Sequence, residues 1–272
     1  MNVSDMDFRR AAVVGAGVMG SGIAQTLAVA GLDTVCIDIN DAVLERARER
    51  VVDGLGRAHA GGHLNQPVED VMSRLHFTTD LQSGVRGCDL VLEAVPEDIG
   101  LKVRLFRELD AVVDPGCLLV TNTSGFAVSG LAYATDRPHP VLGWHWASPP
   151  AVMPFAEIIV HPDVDEHAAQ RLRALAVACG KRPVLVKDQP MAWGFVANRV
   201  YFAMIREAQR VVDEGLVTAG ELDQLMIDCF HWPAGPLVWA ARHSLAGSND
   251  TYCSPCAKVD RVISQAIRLG GK

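Results

Sequence analysis

The sequence predicts an α/β fold: a mostly parallel sheet covered by helices, followed by a smaller all-helical domain. Three observations carry that prediction. Short β-rich runs alternate with helical patterns over the first two thirds of the chain. The runs are nearly continuous in apolar residues, as strands buried on both faces must be. After Lys187-Asp188-Gln189-Pro190 no further β-rich run follows, which divides the chain into 1–189 and 190–272.

The elements follow in order. Ala11-Ala12-Val13-Val14 reads as a strand, and Gly15-Ala16-Gly17-Val18-Met19-Gly20 punctuates it. A helix is expected over 21–30, stopped by Gly31. The apolar run 34–38 ends in the acid Asp38, and a long charged helix over 41–60 is closed by Gly61 and Gly62. Strands are expected at 75–78, 89–94, 117–121, 141–146, 156–160 and 184–186, with helices at 100–113 and 166–179. Beyond the boundary, helical spacing runs over 199–215 and 218–230, where Thr218 and Glu221 have the spacing of a capping box.

Composition excludes other classes. The 272 residues are 49% apolar and 21% charged, unlike a disordered chain. A net charge of −7 argues against a nucleic-acid binder, whose surface must neutralise phosphates. No apolar run has the length of a membrane span, so no membrane partner is expected. The first ten residues lack the order of a signal peptide. Five of the seven cysteines stand singly in apolar stretches, which reads as reduced thiol in a cytoplasmic protein. Cys253 and Cys256 form one Cys-x-x-Cys without the second pair or histidines a zinc site needs, so they read as structurally incidental, with redox and metal roles as alternatives.

The glycine segment has the Gly15-x-Gly17-x-x-Gly20 pattern directly after a strand and opening a helix. This is a Rossmann-type dinucleotide signature. The first glycine permits the tight turn, the second lets backbone approach a pyrophosphate, and the third lets helix pack on strand. The pyrophosphate would meet free N–H groups and the positive end of the helix dipole, which makes Gly15, Gly17, Val18, Met19 and Gly20 the candidate cofactor residues. Asp38 stands eighteen residues beyond Gly20 and suits the adenosine ribose hydroxyls. Ile39, Asn40 and Asp41 bring no base for a 2′-phosphate, so NAD is expected rather than NADP. The alternative for Asp38 is a cap on the helix that begins at 41.

Further motifs follow in fixed order: Glu93-Ala94-Val95-Pro96-Glu97 with Lys102, Thr121-Asn122-Thr123-Ser124, Gly143-Trp144-His145-Trp146-Ala147-Ser148-Pro149-Pro150, Glu157, and Gly194-Phe195-Val196-Ala197-Asn198-Arg199. Together with the glycine loop they resemble the L-3-hydroxyacyl-CoA dehydrogenase family over about residues 8 to 240. The resemblance implies NAD-dependent hydride transfer between an L-3-hydroxyacyl thioester and its 3-oxo form. It makes His145 the acid–base residue, a task suited to an imidazole, which titrates near neutrality. It makes Glu157 the carboxylate that orients the ring, with Ser124 and Asn198 on the substrate oxygen. A tight Pro149-Pro150 turn between two strand ends is expected to bring His145 and Glu157 together. Glu97, Lys102 and Ser148 match positions near the nicotinamide end, although a solvated helix start is an alternative for the first two.

The sequence also departs from the family's pattern. Ser148 replaces an asparagine. The stretch 54–61 lacks the serine and lysine that grip coenzyme A, leaving Arg57 as the candidate cation. The tail after Pro236 does not follow the family. These departures keep alternatives open: an acyl-carrier-protein thioester, a free hydroxy acid, or a non-catalytic dinucleotide-binding protein. Uncovered apolar surface on the helices of the second domain points to a homodimer.

Overall fold

In a computed structural model, which describes residues 8–136, 140–190 and 193–245, the chain opens with strand β1 (Arg10–Val14) and helix α1 (Val18–Val29). Strand β2 (Asp33–Ile37), helix α2 (Asp41–Ala60), the short helix α3 (Val68–Ser73) and strand β3 (Leu75–Thr78) follow. Next come α4 (Leu81–Val85), β4 (Leu90–Glu93), α5 (Ile99–Val112), β5 (Leu118–Thr121) and α6 (Val128–Ala132). The sheet is completed by β6 (Val141–Trp146), β7 (Phe155–Val160) and β8 (Arg182–Lys187), with α7 (Glu166–Ala178) before the last strand.

The strand order is β3-β2-β1-β4-β5-β6-β7-β8. Every neighbouring pair is parallel except β6 with β7, which is antiparallel. The order changes direction between β1 and β4, and such a switch point opens a crevice at the carboxyl ends of the strands. Alternation along the strands sorts side chains into two cores. Ala11, Val13, Leu92, Leu142 and Trp144 join one cluster, with α1, α2 and α7. Ala12, Val14, Val91, Val141 and Ile159 join the other, with α5 and α6. Each fully buried large aliphatic side chain contributes roughly 1.5–3 kcal/mol relative to exposure.

Several local outcomes differ from the sequence reading. Helix α1 begins at Val18, not at 21, because the glycine loop itself winds into the first turn. Strands β6 and β7 run antiparallel and are joined by the loop 147–154, not by a tight turn at Pro149-Pro150. Strand β8 is longer than expected and contains Pro183. It lies at the edge of the sheet, where a missing N–H costs no ladder bond.

The chain divides into two compact units, Met1–Phe195 and Val196–Lys272. The described part of the second unit is helical: α8 (Val196–Asp213), α9 (Ala219–Phe230) and α10 (Pro236–Leu245). The capping box forms as the spacing predicts, with Thr218 and Glu221 bonded reciprocally. Helix α10 was not expected, although proline at a first helical position is a start signal. Buried Asp223 accepts hydrogen bonds from the N–H groups of Leu237 and Val238 and so holds that start. Cys253 and Cys256 lie outside the described residues.

Gly143 sits on β6 where a Cβ would come within 2.9 Å of side-chain atoms of Ile159 and Val128. Gly143→Ala is therefore expected to destabilise the protein by about 1–3 kcal/mol through overpacking. Urea unfolding measures this, and a midpoint equal to wild type would show slack between β6, β7 and α6.

Candidate active site

The site assembles where β1, β4, β5 and β6 end. Gly15 has φ +101°, a left-handed conformation, and a Cβ there would lie 2.5 Å from the Ala94 carbonyl oxygen at the end of β4. Only glycine serves both demands. A Cβ on Gly20 would lie 1.7 Å from the Gly15 carbonyl oxygen, so the loop closes tightly on its own helix. Space is open beside Gly17, and Val18 is exposed. No side chain caps α1, unlike α2, α5, α7 and α9. Its N-terminal donors are left for an anion.

Asp38 follows β2 and accepts from the Ala16 N–H through Oδ2 at 2.8 Å. It does not cap α2; Asn40 does. Oδ1 is left for a hydroxyl pair. Arg50 on α2 donates through Nη2 to the Ala16 carbonyl at 2.8 Å and through Nε to Ser21 Oγ at 3.2 Å. The loop is therefore braced at both polar atoms of Ala16. Sequence reading missed Arg50, because its partner lies 34 residues away. An open approach at Gly17, uncapped N–H groups and a carboxylate oxygen of Asp38 fit a dinucleotide.

His145 and Glu157 are directly opposite in the β6–β7 register. Both point to the face that carries the α5–α6 core, since their strand neighbours Trp144, Trp146, Ala156 and Ile158 belong to the other. Nδ1 of His145 lies 2.8 Å from Glu157 Oε2, with the residues 6% and 4% exposed. A carboxylate at Nδ1 favours the tautomer with its proton there, which turns the lone pair of Nε2 outward as an acceptor. Phe155 and Phe195 flank the ring at 5.4 and 5.7 Å between centroids.

A buried ionic cluster lies at the ends of β4 and β5. Lys102 on α5 is 1% exposed, which removes the solvated reading. Its Nζ lies 2.6 Å from Glu93 Oε1, 3.1 Å from Glu97 Oε2 and 3.3 Å from the Val95 carbonyl. Glu93 also accepts from Thr121 Oγ1 at 2.7 Å. Burial pushes the Glu93 carboxyl up from its ordinary value, and the Lys102 ammonium pulls it back. Glu97 Oε1 accepts from Thr123 Oγ1 at 2.5 Å and from the Ser124 N–H at 2.9 Å, so it fixes the turn that presents Ser124. Asn122 Oδ1 accepts from the Trp146 N–H at 3.0 Å, tying the end of β5 to the residue after His145.

The remaining candidates are placed as follows. Ser148 is exposed in the loop 147–154, Arg57 is exposed on α2, and Met19 is half-buried in the first turn of α1. Asn198 stands in the first turn of α8, in the second unit. Glu93, Asn122 and Thr123 belong to motifs the sequence singled out, but their bracing roles emerge only from the fold.

Comparison with known proteins places the chain in a family. The family model "3-hydroxyacyl-CoA dehydrogenase, NAD binding domain" matches residues 10–189, and "3-hydroxyacyl-CoA dehydrogenase, C-terminal domain" matches 194–266. The second match runs through the tail that sequence reading set apart from the family. A probable 3-hydroxybutyryl-CoA dehydrogenase of Deinococcus radiodurans is 37% identical over 84% of this chain and 81% of its own. A Mesorhizobium japonicum protein named 5-formyl-3-hydroxy-2-methylpyridine 4-carboxylate 5-dehydrogenase is 34% identical over 84% of this chain and 71% of its own. The crystal structure of (S)-3-hydroxybutyryl-CoA dehydrogenase from Ralstonia eutropha superposes with TM-score 0.84 at 32% identity, covering 96% of this chain and 89% of that one.

Removing one partner of a buried ion cluster leaves the other charged and dry. Lys102→Met is expected to lower stability by about 3–5 kcal/mol. Adding Glu93→Gln should recover part of that loss in denaturant unfolding. Equal stabilities for the double and single variants would show that the two side chains are not energetically coupled.

Proposed function

The chain belongs to the 3-hydroxyacyl-CoA dehydrogenase family, and from that premise we propose that it interconverts an L-3-hydroxyacyl-CoA thioester and its 3-oxoacyl form with NAD. The observation that carries the reading is the buried His145–Glu157 pair, because pure dinucleotide binding has no use for an acid–base dyad.

The residues divide the work. His145 Nε2 takes the proton of the substrate hydroxyl in oxidation and returns it in reduction. Glu157 holds the Nδ1 proton and stabilises the imidazolium that results. The Ser124 hydroxyl donates to the substrate oxygen, on a turn that Glu97 fixes. Asn198, from the second unit, adds a second donor to that oxygen. Bound NAD supplies the hydride acceptor or donor. Gly17, Val18, Met19 and Gly20 would hold its pyrophosphate over the turn that Gly15 makes, the Gly15 N–H being given to the Ile37 carbonyl at 2.7 Å, and Asp38 its adenosine ribose. Glu97, Lys102 and Ser148 stand at its nicotinamide end, Lys102 acting through the Glu97 carboxylate. In this division residues 1–189 hold the cofactor, and residues 190–272 shape the acyl pocket and a homodimer contact. Exposed apolar residues support the contact: Val200 on α8, Leu225 and Phe230 on α9. The free thiols of Cys36, Cys88 and Cys117 suit a reducing, cytoplasmic setting.

A second reading keeps the chemistry and changes the handle to an acyl-carrier-protein thioester or a free hydroxy acid. The Mesorhizobium relative, named for a pyridine carboxylate, supports it. So does the exposed Arg57, which stands without the serine and lysine expected beside coenzyme A. An NADH-linked panel of acetoacetyl-CoA, carrier-bound 3-oxoacyl groups and free 3-oxo acids tests the two. Efficient turnover is expected with acetoacetyl-CoA. An inert CoA ester beside an active carrier-bound or free acid would move the substrate assignment and leave the dyad in place.

Two variants test the residue roles. His145→Gln is expected to lower turnover by on the order of 10²–10⁴ with NADH affinity nearly intact. Glu157→Gln should also lower turnover; retained activity in either would remove the assigned role. Asp38→Ser should weaken NADH binding and narrow the preference over NADPH, read by fluorescence titration of both cofactors. A wild type that prefers NADPH would refute the ribose assignment.

A further inference from the structure

Lys181 is a buried cation that the mechanism above does not use. It stands immediately before β8 and is 6% exposed. Its Nζ donates to the Pro150 carbonyl at 2.5 Å and to the Met153 carbonyl at 2.8 Å. It also lies 4.7 Å from the centroid of the Trp146 ring. Among the described residues no carboxylate faces it. Burial accordingly pushes its pKa below the ordinary lysine value. The next residue, Arg182, donates its N–H to the Pro154 carbonyl at 2.7 Å. Three carbonyls of the loop 147–154 and its connection into β7 are thus gripped from the start of β8.

The same loop also packs against α1. A Cβ on Gly22, in α1, would lie 2.6 Å from Cγ of Pro150. Pro150 thus meets the ammonium of Lys181 through its carbonyl and the helix that carries the glycine loop through its ring. Ser148 lies on this loop, and Trp146, whose ring the cation faces, follows His145 directly.

A buried ammonium without a carboxylate is a poor stabiliser, and an apolar side chain of similar volume would serve packing as well or better. What it adds is direction: two fixed N–H donors aimed at two carbonyls, with its cation on an indole face. We propose that Lys181 is a positioning residue, whose ammonium fixes the 147–154 loop against α1 and so sets the places of Ser148 and the His145 ring at the nicotinamide end. The inference rests on the NAD-linked reading above.

The test is Lys181→Met, which keeps the stem and removes the donors and the charge. NADH affinity is read by fluorescence titration, turnover with acetoacetyl-CoA, and stability by thermal unfolding. The expected result is a several-fold rise in the NADH Kd and a fall in kcat on the order of 10- to 100-fold, the scale of a misplaced site. The melting temperature should be unchanged or higher. A lower melting temperature with unchanged NADH Kd would assign a merely structural role and overturn the proposal. Unchanged affinity and turnover would overturn it as well. Gly22→Ala decides independently should Lys181→Met fail to fold: it pushes on the Pro150 ring with Lys181 intact. It is expected to weaken NADH binding too, and wild-type affinity in this variant counts against the proposal. If wild-type protein binds NADH but leaves acetoacetyl-CoA untouched, the CoA reading fails while the titrations still judge Lys181.

Discussion

The hydrogen bond between His145 and Glu157 depends on a reversal of strand direction. Residues directly opposite in an antiparallel pair have Cβ atoms about 4.5–5.5 Å apart. The register from Gly143↔Ile159 to Trp146↔Ala156 makes His145 and Glu157 such a pair. Because side chains alternate along a strand, both then fall on one face without help from the loop that joins them. A slip of one residue would send either side chain to the opposite core, where Trp144 and Ile158 pack. The dyad is thus held by backbone pairing, and the apolar neighbours on both faces keep that pairing in register.

Among the described residues two ammonium groups are buried, in contrasting ways. Lys102 is balanced by Glu93 and held to Glu97, so its charge is neutralised within a few ångströms. That arrangement joins β4, α5 and the turn after β5, and passes order to Ser124 through the Glu97 carboxylate, whose Oε2 meets Lys102 and whose Oε1 accepts from the Ser124 N–H. Among the described residues, Lys181 meets carbonyl dipoles and an indole face and no carboxylate. The first cluster suits a place where several elements must stay fixed together, because breaking any member exposes a desolvated charge. The second suits a single loop, because carbonyls can be regained from water if the contact opens.

Legibility in the sequence followed distance along the chain. The glycine loop, the alternation of strands and helices and the Thr218–Glu221 cap are written in neighbouring residues, so spacing alone reveals them. The direction of β7 was readable only from its short link to β6, which is too short for a parallel crossover. Both β6 and the centre of β7 are buried on both faces, and continuous apolar runs carry no sign of direction. Helices α3, α4 and α6 are too short for a period to emerge. The residue types of the dyad were legible from the family's motif order. The braces were not: Arg50 reaches 34 residues back to Ala16, and Lys181 reaches 31 back to Pro150. A long cationic side chain has no local signature for the carbonyl it will find.

Asp38 shows how recognition and architecture share one side chain. Its Oδ2 is committed to the Ala16 N–H, and Arg50 holds the carbonyl of the same residue. The carboxylate that would select a ribose therefore also shapes the loop that receives the phosphates. Its negative charge strengthens the bond to Ala16 and repels a 2′-phosphate at once. Arg50 stands near enough to the loop to offset part of that charge, yet its donors toward the loop are taken by Ala16 and Ser21. The loop can then keep its shape whether or not a dinucleotide is present, since both polar atoms of Ala16 have partners from the chain itself. Preorganisation of that kind lowers the ordering that binding must impose. It leaves the uncapped N–H groups of α1 as the part of the loop that waits for a ligand.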